Sequence, residues 1–163
     1  MRGGHDEETI MPNAKQPAAE GVDTEIAALL QRLHSHELTG IVRYLHYAHM
    51  IFGANRIPIV SWLKKEASES MEHAWKVGEK MTALHLHPEM KVDPVQESGK
   101  HSVLDVLREA LDNERAALAD YKRLHALVVA KRPDDVALED WVRGFVAAET
   151  EHLEDAEKML RTM

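Results

Sequence analysis

Glu149-Thr150-Glu151-His152 places a carboxylate and an imidazole three residues apart, so both project from one face of a helix. They do so where that helix should be apolar. Leu138, Trp141, Phe145, Glu149, His152, Ala156 and Met159 follow the three-then-four step of a core-facing stripe. A buried lone carboxylate costs several kcal/mol unless a cation or hydrogen bonds satisfy it. Glu is abundant here, so the spacing alone says little. Its weight comes from three other helical stretches that are interrupted in the same way.

The chain has 163 residues, enough for one domain with a proper core. Ala, Leu, Glu, Lys and Arg dominate and β-branched runs are scarce, which favours an all-α class. With no Cys there are no disulfides, thiolate metal sites or iron–sulfur clusters. The formal net charge of −8 argues against sequence-independent DNA binding and suits the attraction of cations. No apolar run approaches a membrane span and the N-terminus has no hydrophobic signal region, so no nucleic acid, no membrane and a cytoplasmic location are expected.

Residues 1–21 contain Gly3, Gly4, Pro12, Pro17 and Gly21 with little apolar content, and are expected to be a flexible tail; residues 22–163 form the domain. Helix A is expected from about Thr24 to Phe52, capped by Asp23, with the stripe Ile26, Leu30, Leu33, Glu37, Ile41, Tyr44, Ala48, Ile51. Gly53-Ala54-Asn55 breaks it, and Pro58 suits the first turn of helix B, which runs to about Leu84. Its stripe is Ile59, Trp62, Glu66, Glu69 or Ser70, His73, Val77, Met81 or Leu84. Pro88, Pro94 and Gly99 mark a connection. Ser102 caps helix C, which continues to about Lys131 through Leu104, Leu107, Leu111, Glu114, Leu118, Tyr121, His125 and Val128; Pro133 and Asp134 start helix D.

The short A–B and C–D links predict antiparallel pairs. The B–C connection of about fifteen residues reaches roughly 50 Å, against roughly 42 Å for a helix of about 28 residues, so B and C can run parallel. Packing helices of equal length superimposes their midpoints. Glu37, Glu69, His73, Glu114, Glu149 and His152 should then meet at one level of one core.

Four carboxylates and two histidines converging in a bundle describe a dinuclear metal site. Carboxylates can bridge two ions, neutral imidazole suits iron, manganese or zinc, and four negative charges balance two divalent ions. Iron is favoured, because two ferrous ions together deliver two electrons to oxygen or hydrogen peroxide. Tyr44, a helical repeat beyond Glu37, could hydrogen-bond a ligand or supply an electron, or be an ordinary core tyrosine. Glu72, Glu109, Glu151 and Glu154 read as solvated. His34, His36, His46, His49, His85, His87, His101 and His125 lack convergent partners in this reading.

Glu37-Leu38-Thr39-Gly40-Ile41-Val42-Arg43-Tyr44-Leu45-His46-Tyr47-Ala48-His49-Met50 resembles the first-helix signature of bacterioferritins, within the ferritin-like di-iron carboxylate family. Glu114 with Tyr121, and Glu149 with His152, extend the resemblance over about residues 24–160. It implies a ferritin-like four-helix bundle with a long B–C crossover, a terminal iron ligand at Glu37 and a site-neighbouring Tyr44. Two departures stand out. The family's second helix carries Glu-x-x-His, but Ser70 lies three residues before His73. The bridging role then falls to Glu69, with Glu66 in reserve. The chain also stops at Met163, without the short fifth helix of that family, so a 24-subunit cage is not implied. Met71, two residues before His73, occupies the place of the family's haem-binding Met at a two-fold interface, beside a second stripe of Ala67, Trp75 and Gly78.

The expected function is therefore ferroxidase activity: oxidation of two ferrous ions per subunit by oxygen or hydrogen peroxide, with iron storage or detoxification in a homo-oligomer, at least a dimer and at most a shell. Manganese or zinc are alternative metals, and haem b at Met71 an optional cofactor. The rival readings are a peroxidase- or catalase-type di-metal oxidoreductase without a storage shell, and a non-catalytic helical scaffold with a degenerate metal site.

Overall fold

The computed structural model describes residues 22–95 and 98–161. The expected N-terminal tail, residues 1–21, lies outside them. The described residues form four helices: α1 (Thr24–Met50), α2 (Arg56–Ala83), α3 (Val103–Lys131) and α4 (Val136–Leu160).

Each boundary has a local cause. Asp23 caps α1, its side chain accepting from the Glu25 amide, and Ser102 caps α3 by accepting from Asp105. Helix α1 stops at Met50, two residues before the expected end. Gly53 follows at φ +98, a backbone conformation that a side chain would strain. The Arg56 guanidinium donates to the carbonyls of Ala48 (3.1 Å) and Ile51 (2.6 Å), groups that the helix end leaves without partners. Pro58 falls in the first turn of α2 as expected. Helix α4 starts later than Pro133-Asp134 suggest: Asp135 is the cap and accepts from Leu138 at 3.1 Å.

Side-chain contacts fix the directions. Along α1 and its cap, Asp23, Glu37 and Tyr44 meet Lys131, Tyr121 and Glu114 of α3. The numbers rise on one helix as they fall on the other, so α1 and α3 are antiparallel. Helices α1 and α2 are antiparallel by the same argument, with His34 beside Gly78 and Gly40 beside Ser70. So are α3 and α4, through His125–Glu139 and Arg115–Glu157. Helices α2 and α3 therefore run parallel, which only a full-length crossover allows. The connection runs up the side of α1. Glu89 exchanges two hydrogen bonds with the Gln31 amide (2.8 and 3.2 Å), the Asp93 amide donates to the Thr39 hydroxyl (2.9 Å), and a ring nitrogen of His101 pairs with the Met50 carbonyl (2.7 Å).

The apolar core is in two halves. One gathers Ile26, Leu30, Leu33, Val77, Met81, Leu124, Val128, Val142 and Phe145; the other gathers Tyr44, Ile51, Leu63, Ala67, Val106 and Ala110. Full burial of a Leu or Ile contributes about 1.5–3 kcal/mol, so the two halves supply the stability that a polar layer between them costs. Leu104, expected inside, is 49% exposed at the start of α3. Ala67, expected on the outer stripe with Met71, is in the core instead. Gly40 marks the closest approach of α1 and α2: a Cβ there would lie 2.7 Å from the Ser70 hydroxyl oxygen.

Candidate metal centre

Glu37, Glu66, Ser70, His73, Glu114 and Glu149 are all buried and lie in the layer between the two apolar halves. His152 joins them from α4 with 16% of its side chain exposed. The helical repeat explains the level: each residue is near the middle of its helix and in register with the apolar stripe.

The geometry is a chain of donors. His73 Nδ1 lies 2.9 Å from Glu149 Oε1 and 3.6 Å from Glu37 Oε1. The other Glu149 oxygen is 3.9 Å from His152 Nδ1, which is 3.8 Å from Glu114 and 3.9 Å from Glu66. The two imidazoles stack with ring centres 5.9 Å apart. Two phenols hold the carboxylates: the Tyr121 hydroxyl donates to Glu37 at 2.7 Å, and the Tyr44 hydroxyl donates to Glu114. Within 4.8 Å of one another lie ligand atoms of three sets, Glu37–His73–Glu149, Glu114–Glu149–His152 and Glu66–Glu69–His152. Glu149 is common to the first two sets and His152 to the last two.

Every residue expected to hold metal is brought to this layer, although Glu69 stands at its edge; Met71, expected for haem, lies outside it and is exposed. The Glu69 side chain is 30% exposed, paired with Lys65 at 3.1 Å and 3.5 Å from His152 Nε2. Glu66, the reserve, is the buried carboxylate of α2 and faces the central cavity of about 20 Å³. His36 and Arg43 also line that cavity, although His36 was expected to lack convergent partners. The signal was present: positions 36, 40, 43 and 44 share a face of α1 with Glu37. Tyr121 was noted in the α3 stripe, but its bond to Glu37 could not be read from either helix alone.

The buried acids of the cluster crowd one another electrostatically. Burial and the charges of Glu149 and Glu37 push Glu114 from 4.5 up to about 9. Burial raises Glu66 as well, His152 opposing and Glu69 adding to it. Burial alone would lower His73, but hydrogen bonds to Glu149 and Glu37 outweigh it and take it from 6.5 up to about 10. Protons thus fill the role of counter-charge. The donors are carboxylate oxygen and imidazole nitrogen without sulfur, a set that fits divalent iron, manganese or zinc.

The comparisons agree with this architecture. A family model, the ferritin-like domain, matches residues 27–163. No curated protein matches the chain by sequence. A ferritin-like diiron-carboxylate protein from Bacillus anthracis superposes with TM-score 0.77 at 22% identity, covering 84% of this chain and 96% of that one. A Rhodobacter capsulatus bacterioferritin, described with a metal-free dinuclear site and haem iron, gives 0.73 at 20% identity, covering 85% of each chain. A Dps protein from Bacillus brevis gives 0.75 at 16% identity, covering 86% of this chain and all of that one. Four crossover-linked helices around a mid-bundle layer of glutamates and histidines place this chain in the ferritin-like domain family.

Proposed function

We propose that this chain binds two ferrous ions in the central layer and oxidises them, in the manner of bacterioferritins. The observation that carries the reading is the overlap of the donor sets Glu37–His73–Glu149 and Glu114–Glu149–His152, which share one buried carboxylate. A carboxylate common to two sets can bridge two ions, and only neighbouring ions can deliver two electrons to one oxidant. Two ferrous ions become ferric, and the two electrons with two protons convert oxygen to hydrogen peroxide, or hydrogen peroxide to two waters.

The chain's own residues prepare this. Tyr121 and Tyr44 orient Glu37 and Glu114, so the carboxylates need little rearrangement. Metal uptake displaces the protons held by His73 and Glu114, so binding releases protons and strengthens as pH rises. The apolar halves above and below limit water. On α2, Glu66 supplies the buried carboxylate in place of the one missing at Ser70, and Glu69 at the rim passes ions to His152. Met71 and Trp75, 57% and 72% exposed, form the contact with a second copy of the chain.

Stopped-flow absorbance after ferrous addition tests the reading. His152→Ala removes a donor from two of the three sets, so one ion is retained and rapid paired oxidation is lost. Oxidation as fast as the parent's would sink the dinuclear mechanism.

A further inference from the structure

Arg43 is the one guanidinium among the described residues lining the central cavity, and it also lines a second cavity of about 440 Å³ between α1, α3 and the crossover. Tyr47, Lys100, Glu109, Asp112 and Asn113 share that outer cavity. Its acids are answered: Glu109 lies 3.8 Å from the Lys100 ammonium, and Asp112 lies 3.5 Å from Arg115. The Asn113 amide donates to the Tyr47 hydroxyl at 3.4 Å. Arg43 is not answered. Its buried Nη1 has no hydrogen-bond partner among the described residues. Asp93 of the crossover, whose charge also acts on Arg43, is itself 3.0 Å from Lys91.

A half-buried guanidinium with an unpartnered N–H group is a cost that a bound anion lowers. Burial holds the Arg43 pKa below the ordinary guanidinium value, and Tyr47, Glu114 and Asp93 only partly restore it. The planar fork of Arg matches two oxygens of one anion, and the Lys100 ammonium, Asn113 amide and Tyr47 hydroxyl add donors on the same wall.

We propose that the outer cavity is a binding site for a small tetrahedral oxyanion of the inorganic phosphate class, held by Arg43 and reached from solvent past Lys100. It goes beyond the iron-oxidising reading and stands without it. Arg43 lines both cavities, so an anion held by it in the outer cavity would sit next to the wall of the metal layer.

The test uses the full-length metal-free protein titrated with inorganic phosphate at constant ionic strength, followed by calorimetry and phosphorus resonance linewidth. One phosphate per chain is expected. Arg43→Gln should weaken it by about tenfold or more, the worth of a charge-assisted bidentate contact. Arg43→Lys should fall between, keeping the charge and losing the fork. Should Arg43→Gln fail to fold, as its melting curve reports, Arg43→Lys and the exposed Lys100→Gln carry the test, each with weakened phosphate binding. No phosphate bound by the parent, or variants binding within about twofold of it, overturns the site. Because no iron is added, the outcome is independent of ferroxidase activity.

Discussion

Glu114→Gln separates electrostatic cost from metal binding. Glu114 is pushed from 4.5 up to about 9 by burial and by Glu149 and Glu37. Its folded pKa is raised, so the folded metal-free protein holds a proton that the unfolded chain has already lost at neutral pH. Stability from this group is fully present below 4.5, declines as pH rises, and is lost past about 9. From 4.5 to pH 7 the loss is about 3 kcal/mol, at about 1.36 kcal/mol for each pH unit. Gln keeps the shape, accepts the Tyr44 hydroxyl and never ionises. Chelated Glu114→Gln should therefore melt with the parent at pH 4 and roughly 6–12 °C above it at pH 7, with a wider gap at pH 9. Adding ferrous, manganous or zinc ions should reverse the order, since the parent gains a ligand-bound state that the variant forms poorly. Thermal unfolding by circular dichroism across this pH range is the assay. A chelated variant that melts no higher than the parent at pH 7 to 9 would refute the claim that like-charge crowding in the layer strains the metal-free fold.

On α2, Glu66→Ala should cut ferrous oxidation at least as deeply as Glu69→Ala, because Glu66 is buried against the cavity and Glu69 is half tied to Lys65 at the rim. Stopped-flow rates for the two variants decide it, and a parent-like rate for Glu66→Ala would return the ligand role to Glu69 alone. At the outer face, where Met71 and Trp75 are exposed, Trp75→Glu should weaken the proposed self-association, since it would bury an unpaired charge in that contact. Light scattering checks this, and a parent that is monomeric at micromolar concentration removes both the dimer and a haem shared at Met71.

Four helices and a polar layer at their midpoints are legible in the sequence, because a 3.6-residue repeat assigns each residue a face and a height without reference to neighbours. The interruptions at Glu37, His73, Glu114, Glu149 and His152 needed nothing more. Helix caps at Asp23 and Ser102 were equally local. The parallel α2–α3 arrangement was legible as permitted by chain length, but its cause was not. It rests on hydrogen bonds from Glu89, Asp93 and His101 to residues of α1 far away in sequence.

Glu66, Glu69 and Ser70 show where a single helix runs out of information. All three straddle one side of α2, and a few tens of degrees of rotation about the helix axis choose among them. That rotation is set from outside, where Gly40 lets α1 close on Ser70 and turns Glu66 towards the cavity while Glu69 reaches the rim. The partnership of Tyr121 with Glu37, the doubled role of Arg43 and the shared place of Glu149 have the same origin. Helical periodicity determined which residues face inward; the depth and rotation of helix–helix contact, which depend on side chains from two elements at once, decided which of them meet.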